Sequence, residues 1–276
     1  TSTKPLFNFK QNIDRSDIPV LLSAPCNGCN SGENLYRCLD GVFPYYIQYG
    51  TKKINNVQVP MAWHIIGKST LAMSDSTGLD QMTTFDATKD LDNGKLKSNV
   101  KYFFQSDDYV STSMSFGNSD EYASSNVREY LMVNTAGSEQ TNSFSTTYSL
   151  TNDGVSNVIF SLIKPRSLEG LYKKINAGED ATKPTGISDS DWTALNVKFW
   201  ILSASEHDIA CDYYFVGSSY DHSLGSIGAD YWLRGKMKAY GGEIMMAYVS
   251  EYGAANGGNG EYTSTSKLSV NPAFML

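Results

Sequence analysis

The chain has 276 residues, of which 41% are hydrophobic and only 18% are charged, and its net charge is −7. This length and composition allow a sizeable buried core, which excludes a disordered chain. The acidic balance disfavours nucleic-acid binding through phosphate neutralisation, and the apolar runs are too short for us to expect membrane insertion.

Residues 1–44 differ in character from the rest of the chain. They contain four prolines, three of the four cysteines and little periodic pattern. We therefore expect an extended arm or docking segment here, followed by one domain at 45–276. The arm is predicted to contact other molecules in an assembly, with wrapping over its own sheet as the alternative.

The cysteines of this arm have partial zinc-knuckle spacing. Cys26 and Cys29 are separated by two residues and Cys38 follows Cys29 by nine positions, so that a fourth ligand would have to be Cys211 or His64. Free thiols and disulfides are the alternatives, and the sequence leaves open which of the three holds. A chain of this length needs no metal to fold, and we expect no cofactor.

Strand signals begin near residue 43. An aromatic run at 43–49 predicts one strand, and 57–59 and 62–66 predict two short strands on either side of Pro60. The dipeptide at 93–94, Asn-Gly, predicts a type I′ hairpin turn.

Helix signals are few and short. Residues 124–132 predict a helix with a serine N-cap, 168–177 predict a second, and capping-box spacing at 188–191 indicates a third. Continuous apolar residues at 199–202 and 245–249 predict two further strands. The expected fold class is α+β, with many short antiparallel strands, two or three short helices and long loops.

Four segments, in the same order along the chain, resemble the DUF6273-type domain over roughly residues 50–276. They are Trp63–Ile66 with Leu71–Ser74; Tyr122–Leu131; Phe199–Glu206; and Tyr231–Arg234 with Val270–Phe274. The resemblance implies a C-type-lectin-like fold, similar to that of sulfatase-modifying factors. Such domains are common in bacteriophage tail proteins and adhesins and in surface proteins of gut bacteria. The chain departs from the family at Gly235-Lys236, where the family has Ser-Pro, and at Asn271, where it has Arg.

The resemblance implies structural roles for Trp63, Arg128, Glu206, Trp232, Arg234 and Pro272. Trp232 and Arg234 are expected on one face of a strand, packed under the C-terminal strand. The strand that ends at Phe274 is expected to pair near them. Glu206 is expected at the end of a strand, where residues 206–208 would face alternate sides and could not converge as a catalytic cluster.

Two polar, aromatic loops are the predicted binding face. Loop residues often carry ligand contacts, and tyrosines beside glycines supply rigid contact area at low entropic cost. The predicted binding residues are Tyr220, Asp221, His222, Tyr252, Asn256, Asn259 and Tyr262.

The sequence contains no nucleophile elbow, P-loop, dinucleotide or zincin motif. We therefore expect a noncatalytic bacteriophage virion protein, made in the host cytoplasm and assembled with other virion proteins and copies of itself. A host surface glycan or protein is the expected receptor. One alternative is a secreted or cell-surface carbohydrate-binding module of a bacterium. An enzyme of the sulfatase-modifying type is a further alternative. The resemblance implies that such an enzyme needs paired active-site cysteines near its C-terminus, whereas this chain has only Cys211 in its C-terminal half.

Overall fold

The computed structural model describes residues 14–22, 45–75, 80–118, 122–132, 142–151, 154–168, 172–173, 195–214, 230–238, 244–249, 255–257 and 262–276. Within these ranges the chain forms two larger, mostly antiparallel sheets, two further sheets of two strands each, and several short helices. The predicted α+β class is confirmed.

The strands and helices have the following bounds. The strands are β1 (Leu21–Leu22), β2 (Tyr45–Ile54), β3 (Val57–Ala72), β4 (Met82–Thr83), β5 (Leu91–Asp92), β6 (Lys95–Leu96), β7 (Val100–Ser106), β8 (Ser111–Ser115), β9 (Arg166–Leu168), β10 (Tyr172–Lys173), β11 (Leu195–Val197), β12 (Phe199–Trp200), β13 (Tyr231–Lys238), β14 (Ile244–Val249), β15 (Ala255–Gly257), β16 (Lys267–Val270) and β17 (Ala273–Met275). The helices are α1 (Ala87–Asp90), α2 (Asn126–Leu131), α3 (Ser143–Thr147), α4 (Gly154–Leu162) and α5 (Ala204–Tyr214). The described residues thus contain five short α-helices where two or three were expected.

The first sheet has the strand order β1-β2-β3-β7-β17-β12, and β4 pairs with β3 outside this path. All of its neighbouring strands are antiparallel. Fully buried aromatic side chains gather on one face, where the Trp63 and Phe274 ring centroids are 4.8 Å apart and those of Phe104 and Phe274 are 5.1 Å apart. This face is the aromatic centre of the core, and tilted and stacked ring contacts of this kind add to the stabilisation from burial.

The second sheet has the order β15-β14-β13-β16-β8, with β10 alongside β13. Its β13–β16 and β13–β10 pairs are parallel, and its other pairs are antiparallel. Trp232 on β13 is fully buried, packs on Phe116 with ring centroids 5.4 Å apart, and donates its indole N–H to the carbonyl of Met114 at 2.7 Å. Trp232 therefore stabilises the second sheet from within.

The two sheets are joined where two paired connections run side by side. The β7–β8 and β16–β17 connections are held together because Ser106 N donates to Pro272 O at 3.0 Å and Val110 N donates to Val270 O at 2.9 Å. Pro272 lies at the crossing, where its missing N–H removes no bond from either ladder. The expected pairing of the Phe274 strand is corrected here: β17 pairs with β7 and β12 in the first sheet, and it is β16 that pairs with β13.

Residues 14–22 of the predicted arm pack on the domain. Arg15 is buried and donates to the carbonyls of Ser98 at 3.3 Å and Val100 at 2.6 Å, and also to that of Leu276. Burial lowers the pKa of Arg15 to about 10, which leaves it charged at neutral pH. Ile18 is buried in the main core. These nine residues pack on their own domain, in agreement with the alternative that the arm wraps over its own sheet. Residues 1–13 and 23–44 lie outside the described part.

Several local predictions are confirmed. The turn at 93–94 joins β5 to β6, with positive φ values of 51° at Asn93 and 76° at Gly94. Helix α2 begins after Ser125, whose side chain accepts from Arg128 N. The strands predicted at 199–202 and 245–249 are β12 and β14, shifted by one or two residues.

Two local predictions are wrong. The two short strands around Pro60 are one 16-residue strand, β3. Its pairing with β7 begins only at Trp63, so at Pro60 the strand has a partner on one side alone and the missing N–H is tolerated. The helix predicted at 168–177 is replaced by β9, which ends at Leu168, and by β10. The helix predicted at 188–191 lies outside the described residues.

Candidate functional site

Most of the predicted binding residues lie outside the described part of the chain: Tyr220, Asp221, His222, Tyr252 and Asn259. Asn256 lies in β15, opposite Tyr248 in β14. Tyr262 is half-buried; its ring meets that of Tyr248 edge-on at 4.7 Å, and its hydroxyl donates to the carboxylate of Asp230. Tyr262 therefore contributes to packing within the domain, and the predicted binding face as a whole stays a prediction.

The residues predicted to be structural lie in buried or bonded positions. Trp63 is fully buried and donates its indole N–H to Tyr49 O at 2.8 Å. Arg128 on α2 donates from Nη1 to Ala123 O at 2.6 Å, which ties the helix to the turn before it.

Glu206 is the centre of a buried ion cluster that also contains Arg166 and Arg234. Arg234 binds the carboxylate with both ends of its guanidinium, Nη1 to Oε2 at 2.5 Å and Nη2 to Oε1 at 2.6 Å. Arg166 Nη1 donates to Oε1 at 2.6 Å. All three residues are at most 5% exposed to solvent, so these are charge-assisted bonds in a low-dielectric interior.

A capping box completes the coordination of the carboxylate. Ser203 N donates to Glu206 Oε2 at 3.0 Å, and Glu206 N donates to Ser203 Oγ at 3.1 Å. Glu206 therefore lies in the first turn of α5, which corrects its expected place at the end of a strand; residues 206–208 share a helix. The sequence Ser-x-x-Glu at 203–206 carried the signature of this helix start.

The arginines of the cluster are also held by the backbone and by aromatic rings. Arg166 Nε donates to Asp80 O at 2.7 Å, and its guanidinium lies 4.6 Å from the ring centroid of Phe103 and 5.2 Å from that of Trp200. Arg234 Nη1 also donates to Ile201 O at 2.8 Å. The cluster thus joins α5, β9 and β13 at one buried point.

Glu206 stays ionised in this environment. Burial by itself raises the pKa of Glu206, but the charges of Arg166 and Arg234 and the hydrogen bonds from Arg234 and Ser203 outweigh it and lower the pKa to about 2. The carboxylate is fully engaged by donors from the domain itself, so the cluster stabilises the fold.

A solvent-facing cleft of about 500 Å³ lies elsewhere on the domain. Three segments that are distant in sequence line it: the β2–β3 hairpin, the connection after β7, and the end of α3. The side chains that matter for its chemistry are Lys52, Lys53, Gln58, Asp108, Tyr148 and Ser149. No sequence motif indicates this cleft.

The loop after α3 forms one wall of the cleft because it is fastened to β2. Thr51 N donates to Tyr148 O at 2.8 Å, and Tyr49 OH donates to Leu150 O at 3.0 Å. Gly50 makes this close approach possible: it has φ +69°, and a Cβ there would lie 2.6 Å from both Leu150 Cδ2 and Tyr148 O. The wall is therefore set by backbone contacts.

The back of the cleft is fixed by two phenols that share one carbonyl. Tyr148 OH and Tyr130 OH each donate to Val110 O at 3.0 Å. Burial, with a smaller contribution from the charge of Asp108, raises the pKa of Tyr148 and keeps its hydroxyl neutral. Its ring is held in place as a rigid wall of the cleft.

A salt bridge between Lys52 and Asp108 crosses the cleft. Lys52 Nζ binds both carboxylate oxygens, with Oδ1 at 2.5 Å. The two side chains are 24% and 29% exposed, in contrast to the buried Glu206 cluster. Lys53 and Gln58, paired across the hairpin, are exposed and make no hydrogen bond to another side chain in the described structure.

The described residues contain no group of three or more His, Cys, Asp or Glu side chains placed to hold a metal ion. Cys26, Cys29 and Cys38 lie outside them, and Cys211 lies on α5. Among the helices that the structure describes, none is long and apolar enough to cross a membrane.

Comparisons with family models, with curated proteins and with solved structures find no match for this chain.

Proposed function

We propose that this protein is a noncatalytic bacteriophage virion protein, a tail, fibre or capsid-decorating component that assembles with neighbouring virion proteins and attaches to the host surface. Its globular part is proposed to be a C-type-lectin-like domain. The ordered resemblance of four segments to the DUF6273-type domain supports this proposal, since such domains recur in phage adhesins.

The Glu206 cluster carries the noncatalytic part of the proposal. General acid–base catalysis needs a titratable group within hydrogen-bond reach of a substrate. Glu206 is 3% exposed and its carboxylate accepts bonds from Arg166, Arg234 and the backbone of Ser203. A carboxylate held in this way stabilises three elements and offers no free group to a substrate.

The surface of the domain supports an attachment role. The solvent-facing polar groups of the cleft lie on a wall fixed by backbone contacts, an arrangement suited to recognition. The low charged fraction of the chain, 18%, is also typical of β-rich extracellular and virion surfaces.

Particles purified from the source culture test the virion assignment. We expect quantitative mass spectrometry of density-gradient fractions to find this chain at a fixed ratio to the major capsid protein in every particle fraction. Immunogold labelling should place it at one site on the particle. A chain that stays in the soluble or cell-envelope fraction while the capsid protein sediments would contradict the proposal.

The second candidate is a carbohydrate-binding module of a secreted or surface protein of a bacterium. The cleft is the observation that favours it, because its hydroxyl, amide and aromatic groups suit sugars whether or not the protein belongs to a particle. The same gradient separates the two, since a module of this kind remains with the cell surface or the medium.

A further inference from the structure

We propose that the cleft bounded by Lys53, Asp108 and Tyr148 binds a saccharide unit that carries one carboxylate, such as a uronic acid or a sialic acid. This inference rests on the proposed attachment function and names the chemistry that the attachment recognises.

The charges that line the cleft indicate a singly anionic ligand. Lys52 and Asp108 neutralise each other through their salt bridge. Lys53 is left as one exposed positive charge, on a protein whose net charge is −7. A carboxylate is attracted to this local positive charge, whereas a doubly charged phosphate would face one uncompensated cation and the nearby Asp108.

The hydrogen-bonding groups match a polyhydroxylated ring. Gln58 offers both a donor and an acceptor, and Ser149 and its neighbours Thr146 and Thr147 offer hydroxyls that can do either. Sugar hydroxyls also donate and accept, so each needs partners of this dual kind. Asp108 accepts from Lys52 and, as a carboxylate, keeps capacity for further donors.

The aromatic and steric features fit the same ligand. The Tyr148 hydroxyl is occupied by Val110 O, so the tyrosine contributes a fixed apolar ring to the cleft. A volume of about 500 Å³ lies within the range of small-ligand sites, while the polar lining disfavours a lipid or an apolar cofactor. The whole wall is preorganised by the Gly50 contacts, which lowers the entropic cost of binding.

Titration calorimetry and saturation-transfer NMR on the full chain test this inference. Glucuronic acid and N-acetylneuraminic acid are the acidic probes, and glucose and the methyl ester of glucuronic acid are the neutral ones. We expect the acidic probes to bind about 10-fold more tightly, because a charge-assisted bond to Lys53 is lost in the neutral ones. The difference should shrink as salt is raised.

Lys53→Glu and Lys95→Glu form a matched pair of variants. Both residues are exposed on β-hairpins and both changes alter the charge equally, but only Lys53 lines the cleft. Lys53→Glu should abolish binding of the acidic probes without a change in melting temperature, and Lys95→Glu should bind as the unmodified chain does. Lys53→Gln should make acidic and neutral probes bind equally.

Three results would overturn the inference: no binding of any acidic probe, equal binding of acidic and neutral probes, or normal binding by Lys53→Glu. Tighter binding of inorganic phosphate than of glucuronic acid would also overturn it, in favour of a phosphate site. A chain that sediments with particles but binds no acidic sugar refutes the cleft proposal alone. A chain that binds acidic sugars but is absent from particles refutes the virion assignment alone.

Discussion

The Glu206 cluster and the Lys52–Asp108 cleft both pair a carboxylate with cationic side chains, but they use their polar groups differently. In the buried cluster, Arg234 binds Glu206 with two nitrogens and Arg166 adds a third bond. In the cleft Lys52 and Asp108 form a salt bridge at the surface. The exposed Lys53 and Gln58 beside them make no hydrogen bond to another side chain among the described residues. The comparison shows that charged side chains whose hydrogen bonds are all made within the domain contribute to stability. Charged side chains that are exposed and can form further hydrogen bonds are suited to ligand binding.

Replacing each carboxylate by its amide tests this comparison most strongly. Glu206→Gln leaves Arg166 and Arg234 buried without an anion and should cost about 3–5 kcal/mol of the free energy of unfolding. Asp108→Asn makes the same chemical change at the surface and should cost about 0–1 kcal/mol. Urea unfolding of both variants measures these losses. Equal losses would show that burial does not set the difference between the two regions.

The pH dependence of stability should depend on the Glu206 cluster. The pKa of Glu206 falls from 4.5 to about 2 on folding, so the stability that the ionised carboxylate contributes is complete above about pH 4.5. It is lost as the pH falls from there towards 2, because the unfolded chain takes up a proton on Glu206 that the folded chain, with its lower pKa, does not. The difference in the free energy of unfolding between the unmodified chain and Glu206→Gln should therefore shrink over this window. A constant difference from pH 6 to pH 2.5 would contradict this account.

Two glycine substitutions test whether the cleft is held by its backbone. Gly50→Ala and Gly94→Ala both force alanine into a left-handed conformation, a strain of about 1–2 kcal/mol. Only Gly50→Ala also places a Cβ against Leu150 Cδ2 and Tyr148 O, since nothing lies within 4 Å at Gly94. Gly50→Ala should therefore lower the melting temperature more and also abolish sugar binding, while Gly94→Ala binds normally. Equal effects on the melting temperature would mean that the loop after α3 shifts to accommodate the added Cβ.

The smallest effect is expected at the shared carbonyl behind the cleft. Tyr130→Phe or Tyr148→Phe leaves Val110 O with the other phenol as donor, so each should cost under about 1 kcal/mol. The double variant removes both phenols, and its cost should exceed the sum of the single costs by about 1 kcal/mol. A double-mutant cycle in urea measures this coupling. If the two single costs simply add in the double variant, water replaces both phenols as donors to Val110 O without loss of stability.

Features set by a few neighbouring residues could be predicted from the sequence. The turn at 93–94 needs positive φ at both positions, which Asn-Gly supplies. The start of α2 follows from Ser125, whose hydroxyl accepts from Arg128 N. The helix at 168–177 was predicted wrongly because local propensity does not report the pairing of Tyr172 and Lys173 with β13.

The cleft could not be predicted, because its walls come from three separate segments and no motif links them. Lys53, Asp108 and Ser149 meet only because Gly50 lets the loop after α3 dock on β2. Arg166 was missed for the same reason: its partners Glu206 and Asp80 are distant in sequence. Glu206 itself was singled out through the family resemblance, but the helix that carries it was not.

The contact between Arg15 and Leu276 joins residues 261 positions apart. β16 and β17 likewise pair with β8 and β7, which lie far earlier in the chain. Neither sheet is complete until the segment that contains β16 and β17 has paired. These non-local pairings cost loop-closure entropy before they stabilise the chain, so we expect a low folding rate. Until that segment docks, Trp63 and Phe104 lack their packing partner Phe274. The partly folded chain thus exposes aromatic surface, so its folding yield should depend on protein concentration and on chaperones.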